Sequence, residues 1–361
     1  VGKRLAALGL AFLLGGSVAA EPDLRQIQVP AGFHLEVYAR VPGARHLAMA
    51  PDGTLFVGTT GDKVFAVTSQ RKVIEIASGL NCPNGVAFAE GNLFICEIQR
   101  LSRISGILQK LDKKPALETV NASLPNKRHH GYRVLRWGAD KRLYVGIGAP
   151  LNVGEVADPF GSLCRFSADF QKLEVLQRGI RNTMGFDWNP QDQSLWFTDN
   201  GRDMLGDDIP PEELNRAPKT GLHFGFPYRY GDNVPDPEWG SKMPAGLAPQ
   251  PPAAAMQAHM APLGMRFYRG KMFPAQYRNC IFLATHGSWN RSVPVGYNLM
   301  LARPDSKGQA RSEVFAKGWL RGSQVSGRPV DVQELPDGSL ILSDDYAGCL
   351  YRLSYGKQGG A

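Results

Sequence analysis

Along most of the chain, apolar positions alternate with polar or small ones over short runs bounded by turn residues, the period-two pattern of half-buried strands. One unit recurs: an alternating strand, a tight turn, a second strand ending in small residues, then a third strand. It reads HLAMAPDGTLFVGTTGDKVFAV from His46, NGVAFAEGNLFICEIQRLSRI from Asn84, YRVLRWGADKRLYVGIG from Tyr132 and MGFDWNPQDQSLWFTDNG from Met184. Later copies are MRFYRGKMFPAQYRNCIFLATHG from Met265 and VDVQELPDGSLILSDDYAGCLYRLSY from Val330. Gly53 and Gly338 follow Asp52 and Asp337 in hairpin turns, where a residue without a Cβ takes the positive φ required. No copy can bury both faces of its sheet alone. Six copies therefore predict an all-β fold, a six-bladed β-propeller around a central channel, with long inter-blade loops. FHLEVYARV from Phe33 precedes the first full copy and predicts an outer strand for the last blade, which closes the ring and removes an exposed edge.

Two stretches break the rhythm. A polar connector runs from about Arg103 to Arg128, and a Pro/Gly-rich excursion over about 210–262, from Pro210 to Pro262, far exceeds ordinary loop length. Within it, PAGLAPQPPAAAMQ predicts extended or mobile chain. At the start, Lys3 and Arg4 precede an apolar run from Leu5 to Leu14 and small residues, with Val18 and Ala20 at the two cleavage-defining positions. That pattern predicts a secretory signal peptide over 1–20 and a single propeller domain over 21–361, periplasmic or secreted. No later stretch approaches roughly 18 uninterrupted apolar residues, so no stable membrane insertion is expected.

Charge narrows the partners. A formal net charge of +8 suits nucleic acid or an anionic cofactor. Export, and the lack of a long Lys/Arg run, argue against nucleic acid. An oxidising compartment permits disulfides, but the 5 cysteines are odd in number and leave at least one thiol free. Without CxxC or CxxCH, neither a zinc knuckle nor covalent haem is signalled, and small buried apolar roles are expected for most of them.

Polar chemistry concentrates between Gly179 and Asn215. Arg181 and Asn182 stand just before a strand pair, where a guanidinium and a planar amide either polarise an oxygen or cap backbone carbonyls at a blade junction. The following turn carries Asn200, Arg202, Asp203, Asp207 and Asp208. These are hard oxygen ligands of calcium type without EF-hand spacing, or else a solvated acidic turn. His129 and His130 end the basic connector LPNKRHHGY at an inter-blade loop near the channel mouth. Imidazole there suits proton abstraction near neutrality, or simply faces solvent. ATHGSWNRSVPVGYN supplies His286, Asn290 and Arg291, and SGRPVDV supplies Arg328. With Arg181, these gather several cations on one face, as a small di- or trianionic ligand requires.

GIRNTMGF, the GRDxxGDD loop, HGSWNR and GRPVDV, in that order on a six-bladed pattern, resemble the sorbosone/soluble glucose dehydrogenase family, whose members use pyrroloquinoline quinone (PQQ). The sorbosone branch is the closer in motifs, and the resemblance runs from about Gly32 to Tyr355. It implies PQQ and Ca2+ as cofactors, a small-molecule sugar substrate and an electron acceptor left open. By position it implies His130 as general base, Arg181 and Asn182 at the quinone's reactive carbonyls, and Arg328 at a cofactor carboxylate. Arg291 is the cation nearest to the place of a family lysine. The carbonyls of Gly201 and Arg202 stand where the family holds calcium, with Asp203, Asp207 and Asp208 as further metal candidates. The implied reaction is oxidation of an aldose or sugar-derived aldehyde: His130 takes the hydroxyl proton while hydride moves to a quinone carbon polarised by calcium and Arg181.

Two positions depart from the family pattern. Ala149 in GIGAP replaces an Asp that orients the catalytic His, with Glu155 or Asp158 as candidate substitutes, and Val330 replaces a second cofactor-binding Arg. Two other readings stay open: a calcium-dependent, lactonase-like hydrolase in which His130 activates water, and a non-catalytic propeller that binds a glycan or protein. Arg181, Arg291 and Arg328 favour the dehydrogenase, because lactone hydrolysis has no need of cations around a polyanion.

Overall fold

The computed structural model describes residues 22–356. Six sheets surround a central axis, each with a core of three or four consecutive antiparallel strands, as the repeat predicts. Their innermost strands are Ala44–Met49, Gly85–Ala89, Val134–Trp137, Phe186–Trp188, Pro262–Phe267 and Pro329–Glu334, for blades 1 to 6 in order. Phe33–Arg40 pairs antiparallel with Cys349–Tyr355, so the chain's two ends close blade 6 together. The predicted signal peptide lies outside the described residues. Among the described residues, no helix is long and apolar enough to cross a membrane.

Close approach of the inner strands is written into small residues. A Cβ on Gly185 would stand 2.3 Å from the Leu263 carbonyl oxygen of the next blade, so only glycine lets blades 4 and 5 meet there. At the opposite end of the channel, Arg136 of blade 3 donates to the Phe186 and Met265 carbonyls of blades 4 and 5. Arg266 of blade 5 reaches Leu47 O of blade 1 at 3.3 Å and Gln333 of blade 6 at 2.9 Å. Two guanidiniums thus tie inner strands across the axis, satisfying carbonyls that would otherwise face the channel.

The closing strand is locked by its first residue. The Phe33 ring lies 4.8 to 5.3 Å from those of Phe273, Tyr277, Phe315 and Tyr355, all but one edge-on at 79° or more. Phe33→Ala should therefore lower unfolding free energy by about 3–5 kcal/mol, read as a drop in the denaturant midpoint. An unchanged midpoint would mean that ring closure does not depend on this cluster.

Two expectations are corrected. The polar connector contains a strand, Glu118–Asn121, the outermost of blade 2. The excursion from Pro210 is not one loop: Glu212–Ala217 is the third strand of blade 4, and Ala254–Met256, inside the tract expected to be mobile, is its outer strand. Leu222–His223 adds to blade 3 in parallel. These strands are short, or begin with buried polar residues such as Glu212 and Glu213, so no apolar alternation marks them. The buried roles expected for most cysteines hold: Cys96, Cys164, Cys280 and Cys349 are buried free thiols, and Cys82 is a half-buried one.

Candidate active site

A carboxylate at the end of a second strand fixes the loop entering the same blade. In blade 4, Asp199 accepts the backbone N–H of Arg181 at 2.9 Å and of Asn182 at 2.7 Å. In blade 6, Asp344 accepts that of Arg328 at 2.9 Å, and in blade 2 Glu97 accepts that of Asn81 at 2.7 Å. The device holds the residues at the top of the inner strands in register with the channel mouth. A cavity of about 280 Å3 opens there, and Arg45, Arg128, Arg181 and Arg328 all line it.

Arg181 is buried, with 3% of its side chain exposed. Its Nε and Nη2 donate to Asn152 at 2.8 Å, Nη2 also pairs with Asp203 at 2.7 Å, and Nη1 reaches Asn200 O at 3.2 Å. The residue therefore fills the carbonyl-capping role and still offers the cavity one Nη1 hydrogen with no partner among the described residues. Beside it, Asn182 Oδ1 is buried and unpartnered. An orphaned amide costs about 1–3 kcal/mol, which a ligand in the cavity would recover.

His130 enters from the loop before blade 3 and lines the cavity. Its Nδ1 lies 2.7 Å from the Ala149 carbonyl oxygen. A carbonyl only accepts, so Nδ1 carries the proton and Nε2 holds the lone pair. Burial, then the neighbouring Arg181 and His129, push its pKa down to about 3, so the ring is neutral. Gly148 makes room for this arrangement: a Cβ there would stand 2.6 Å from the His130 Cβ and 2.8 Å from Asn182 Oδ1. His129 packs its ring 4.1 Å from that of His130 and is not part of the lining. Neither proposed substitute for the missing Asp reaches His130. Glu155 accepts from the Tyr228 hydroxyl at 2.6 Å, and Asp158 pairs with Arg178 at 2.6 Å. The backbone of Ala149 does that work instead.

The acidic loop divides. Gly201 and Asp203 line the cavity, but both Asp203 oxygens are engaged, by Arg181 and by Asn290 at 3.1 Å. The Arg202 side chain turns away to Asp236 at 2.8 Å and Glu238 at 2.9 Å, leaving its backbone as its contribution. Asp207 is held by the Ser292 backbone N–H and hydroxyl, and Asp208 is 91% exposed beside Arg291. Arg291 itself donates to the Asp207 and Ala258 carbonyls and does not line the cavity. These three residues clamp two loops together at the rim rather than meeting at the cavity's centre.

Several lining residues carried no signal of their own in the sequence. Arg45 stands in blade 1 near where Arg328 stands in blade 6, and the repeat itself was the available clue. It donates to Asn84 at 2.8 Å and Asp345 at 2.7 Å and stacks 4.5 Å from the Tyr132 ring centre. Glu212 also lines the cavity, accepting from the Gly201 and Ala261 backbones at 2.7 and 3.2 Å. Burial pushes its pKa up to about 8 against the two N–H groups it accepts.

A family model described as TrAA12-like matches residues 245–352. An uncharacterized protein of Borreliella burgdorferi is 33% identical over 362 residues, covering 96% of each chain. The chain is homologous to that Borreliella protein over nearly its whole length, and residues 245–352 carry the TrAA12-like pattern. Among solved structures, the holo form of the pyranose dehydrogenase PQQ domain from Coprinopsis cinerea superposes with a TM-score of 0.75 at 16% identity, covering 91% of this chain and 97% of that one. The calcium structure of the Trichoderma reesei family AA12 enzyme gives a TM-score of 0.75 at 18% identity, covering 95% and 100%. At such identity these two show a shared fold. The family motifs GIRNTMGF, GRDxxGDD, HGSWNR and GRPVDV all fall at this one mouth of the channel, and each sends at least one residue to the cavity lining.

Proposed function

We propose that this protein is an exported sugar dehydrogenase that holds calcium and PQQ in the upper cavity and oxidises an aldose or a sugar-derived aldehyde. The observation that carries the reading is the excess of guanidinium in a small cavity: of the four arginines that line it, Arg45 and Arg181 are paired with Asp345 and Asp203, and Arg128 and Arg328 have no carboxylate partner among the described residues. A tricarboxylate such as PQQ matches that charge, and guanidinium is the side chain best shaped for carboxylate. The unpartnered Asn182 Oδ1 and the open Nη1 hydrogen of Arg181 leave polar valences for a bound group. The Coprinopsis relative carries a PQQ domain and the Trichoderma one is a calcium structure, which supports the same pair of cofactors.

Arg328 would bind a cofactor carboxylate, and Arg181 with the Asn182 amide N–H its carbonyl edge. Calcium would be held by the backbone carbonyls of Gly201 and Arg202, oxygen ligands of the hard type it prefers. Bound there, PQQ supplies a two-electron hydride acceptor and calcium a Lewis acid. His130 accepts the substrate hydroxyl proton at Nε2, with Ala149 O holding the ring. Arg181 stays charged and fixed, a preorganised donor toward developing negative charge.

The test adds calcium and PQQ to purified apoprotein. A bound-quinone spectrum at micromolar cofactor, with sugar-dependent dye reduction, is expected. No binding at that concentration would overturn the reading.

A further inference from the structure

The cavity holds a second imidazole that the proposed reaction does not use. His286 follows the second strand of blade 5, Ile281–Thr285, and lines the cavity from the side of blades 5 and 6. Its backbone is fixed at both ends: the N–H donates to Ala261 O at 2.9 Å, and the carbonyl accepts from Arg328 Nε at 3.2 Å. The ring Nε2 lies 2.9 and 3.1 Å from the two oxygens of Asp345. Asp345 also accepts from Arg45 at 2.7 Å. Burial acts against its ionisation, but the bonds from His286 and Arg45 prevail and hold the carboxyl well below the usual carboxylate range. An ionised carboxylate only accepts, so Nε2 carries the proton and Nδ1 the lone pair, with no partner for Nδ1 among the described residues. Burial, opposed by Asp345 and helped by Arg45 and Arg328, lowers the ring's pKa from its ordinary value and so favours the neutral form.

Three imidazoles line this cavity of about 280 Å3: His259, whose Nε2 donates to the Gly206 and Ile209 carbonyls at 2.9 and 3.1 Å, and the pair His130 and His286, each with one N–H anchored and the other nitrogen, Nε2 of His130 and Nδ1 of His286, without a partner among the described residues. Sugars offer adjacent hydroxyl donors. One acceptor suffices to take the reacting hydroxyl's proton, and a second has use only if the substrate brings a second O–H. We infer that the His286–Asp345 pair is a hydroxyl-recognition point that selects substrates carrying two adjacent hydroxyl groups, one for His130 and one for His286. The inference rests on the sugar-oxidising reading. Asp345 and Arg45 act through His286 as positioning residues: they hold the tautomer that accepts.

The test compares glucose with 2-deoxyglucose, which lacks the hydroxyl beside the anomeric one, in protein loaded with calcium and PQQ. The parent protein should favour glucose roughly tenfold in kcat/KM, the size of one hydrogen bond. His286→Leu and Asp345→Asn should each raise KM for glucose roughly tenfold, with kcat and the 2-deoxyglucose reaction unchanged, so that the preference disappears. In Asp345→Asn the amide can donate to Nε2 and move the proton to Nδ1, turning the acceptor into a donor. Bound quinone, read from its absorption, should stay at the parent level and count only folded protein. A preference that survives both substitutions overturns the inference. So does loss of quinone from both, which would place His286 on the cofactor. If the parent binds no quinone, the sugar-oxidising reading fails by itself. The histidine-ring 15N spectrum of the apoprotein then decides the recognition point alone: an unprotonated His286 Nδ1 that shifts with glucose but not with 2-deoxyglucose supports it, and a protonated Nδ1, or no such difference, overturns it.

Discussion

His130→Gln should lower kcat of the calcium- and PQQ-loaded protein about 10²–10⁴-fold, the usual range for a positioned proton-transfer group, while cofactor binding is retained. Glutamine is close in size and can still donate to Ala149 O, but its amide cannot take a proton. The orientation argument is strict: Nδ1 is committed to a carbonyl at 2.7 Å, so Nε2 is the only nitrogen available to the substrate. Burial beside Arg181 and His129 pushes the ring's pKa down to about 3, so it is in its accepting form throughout the working pH range. Bound carboxylates of a cofactor would favour the imidazolium and raise that value toward the useful range. Steady-state kinetics with parallel quinone spectra make the measurement. An unchanged kcat would take His130 out of the mechanism.

Arg181→Met should have the largest effect on the molecule as a whole. It removes one partner of an ion pair whose arginine is 3% and aspartate 20% exposed, and leaves Asp203 and the Asn152 oxygens without their main donor. Breaking such a pair costs about 3–5 kcal/mol. Cofactor binding should fail as well, because the open Nη1 hydrogen disappears and the loop that carries Gly201 loses its anchor at Asp203. Arg181→Lys keeps the charge but cannot span Asn152, Asp203 and Asn200 at once, so most of the stability loss should remain. Denaturant unfolding of the apoprotein and quinone titration separate the two effects. A stability change below about 0.5 kcal/mol, the scale of an ordinary surface substitution, would show that the network around Arg181 contributes little.

Much of this could be read from the chain because a propeller repeats its geometry. Once the strand–turn–strand unit is recognised, the residues entering each inner strand are known to share one mouth of the channel, and Arg181, Asn182 and Arg328 do so, with His130 on the loop before blade 3. The acids that fix three of those loops, Asp199, Asp344 and Glu97, follow the second strand at the same place in blades 4, 6 and 2, a regularity visible in FTD, LSD and ICE. Arg291, Asp207 and Asp208 were misleading for a physical reason. Their types suit a polyanion and a metal, but charges of opposite sign on neighbouring loops find one another first, and Arg291 reaches the backbone of Asp207 and the carboxylate of Asp208.

Sequence alone, then, determined the six-fold repeat, the closure through Phe33–Arg40 and most of the residues at the upper mouth, because period-two alternation and turn chemistry are local and each blade states them again. Only the tertiary structure decided how those residues are engaged. Ala149 orients His130 through a backbone carbonyl, a group that every residue has and none advertises. Arg45 and Asp345 meet across 300 positions of chain. Their contact, and with it the orientation of His286, exists because the ring closes and brings blade 1 beside blade 6. No local pattern carries that information.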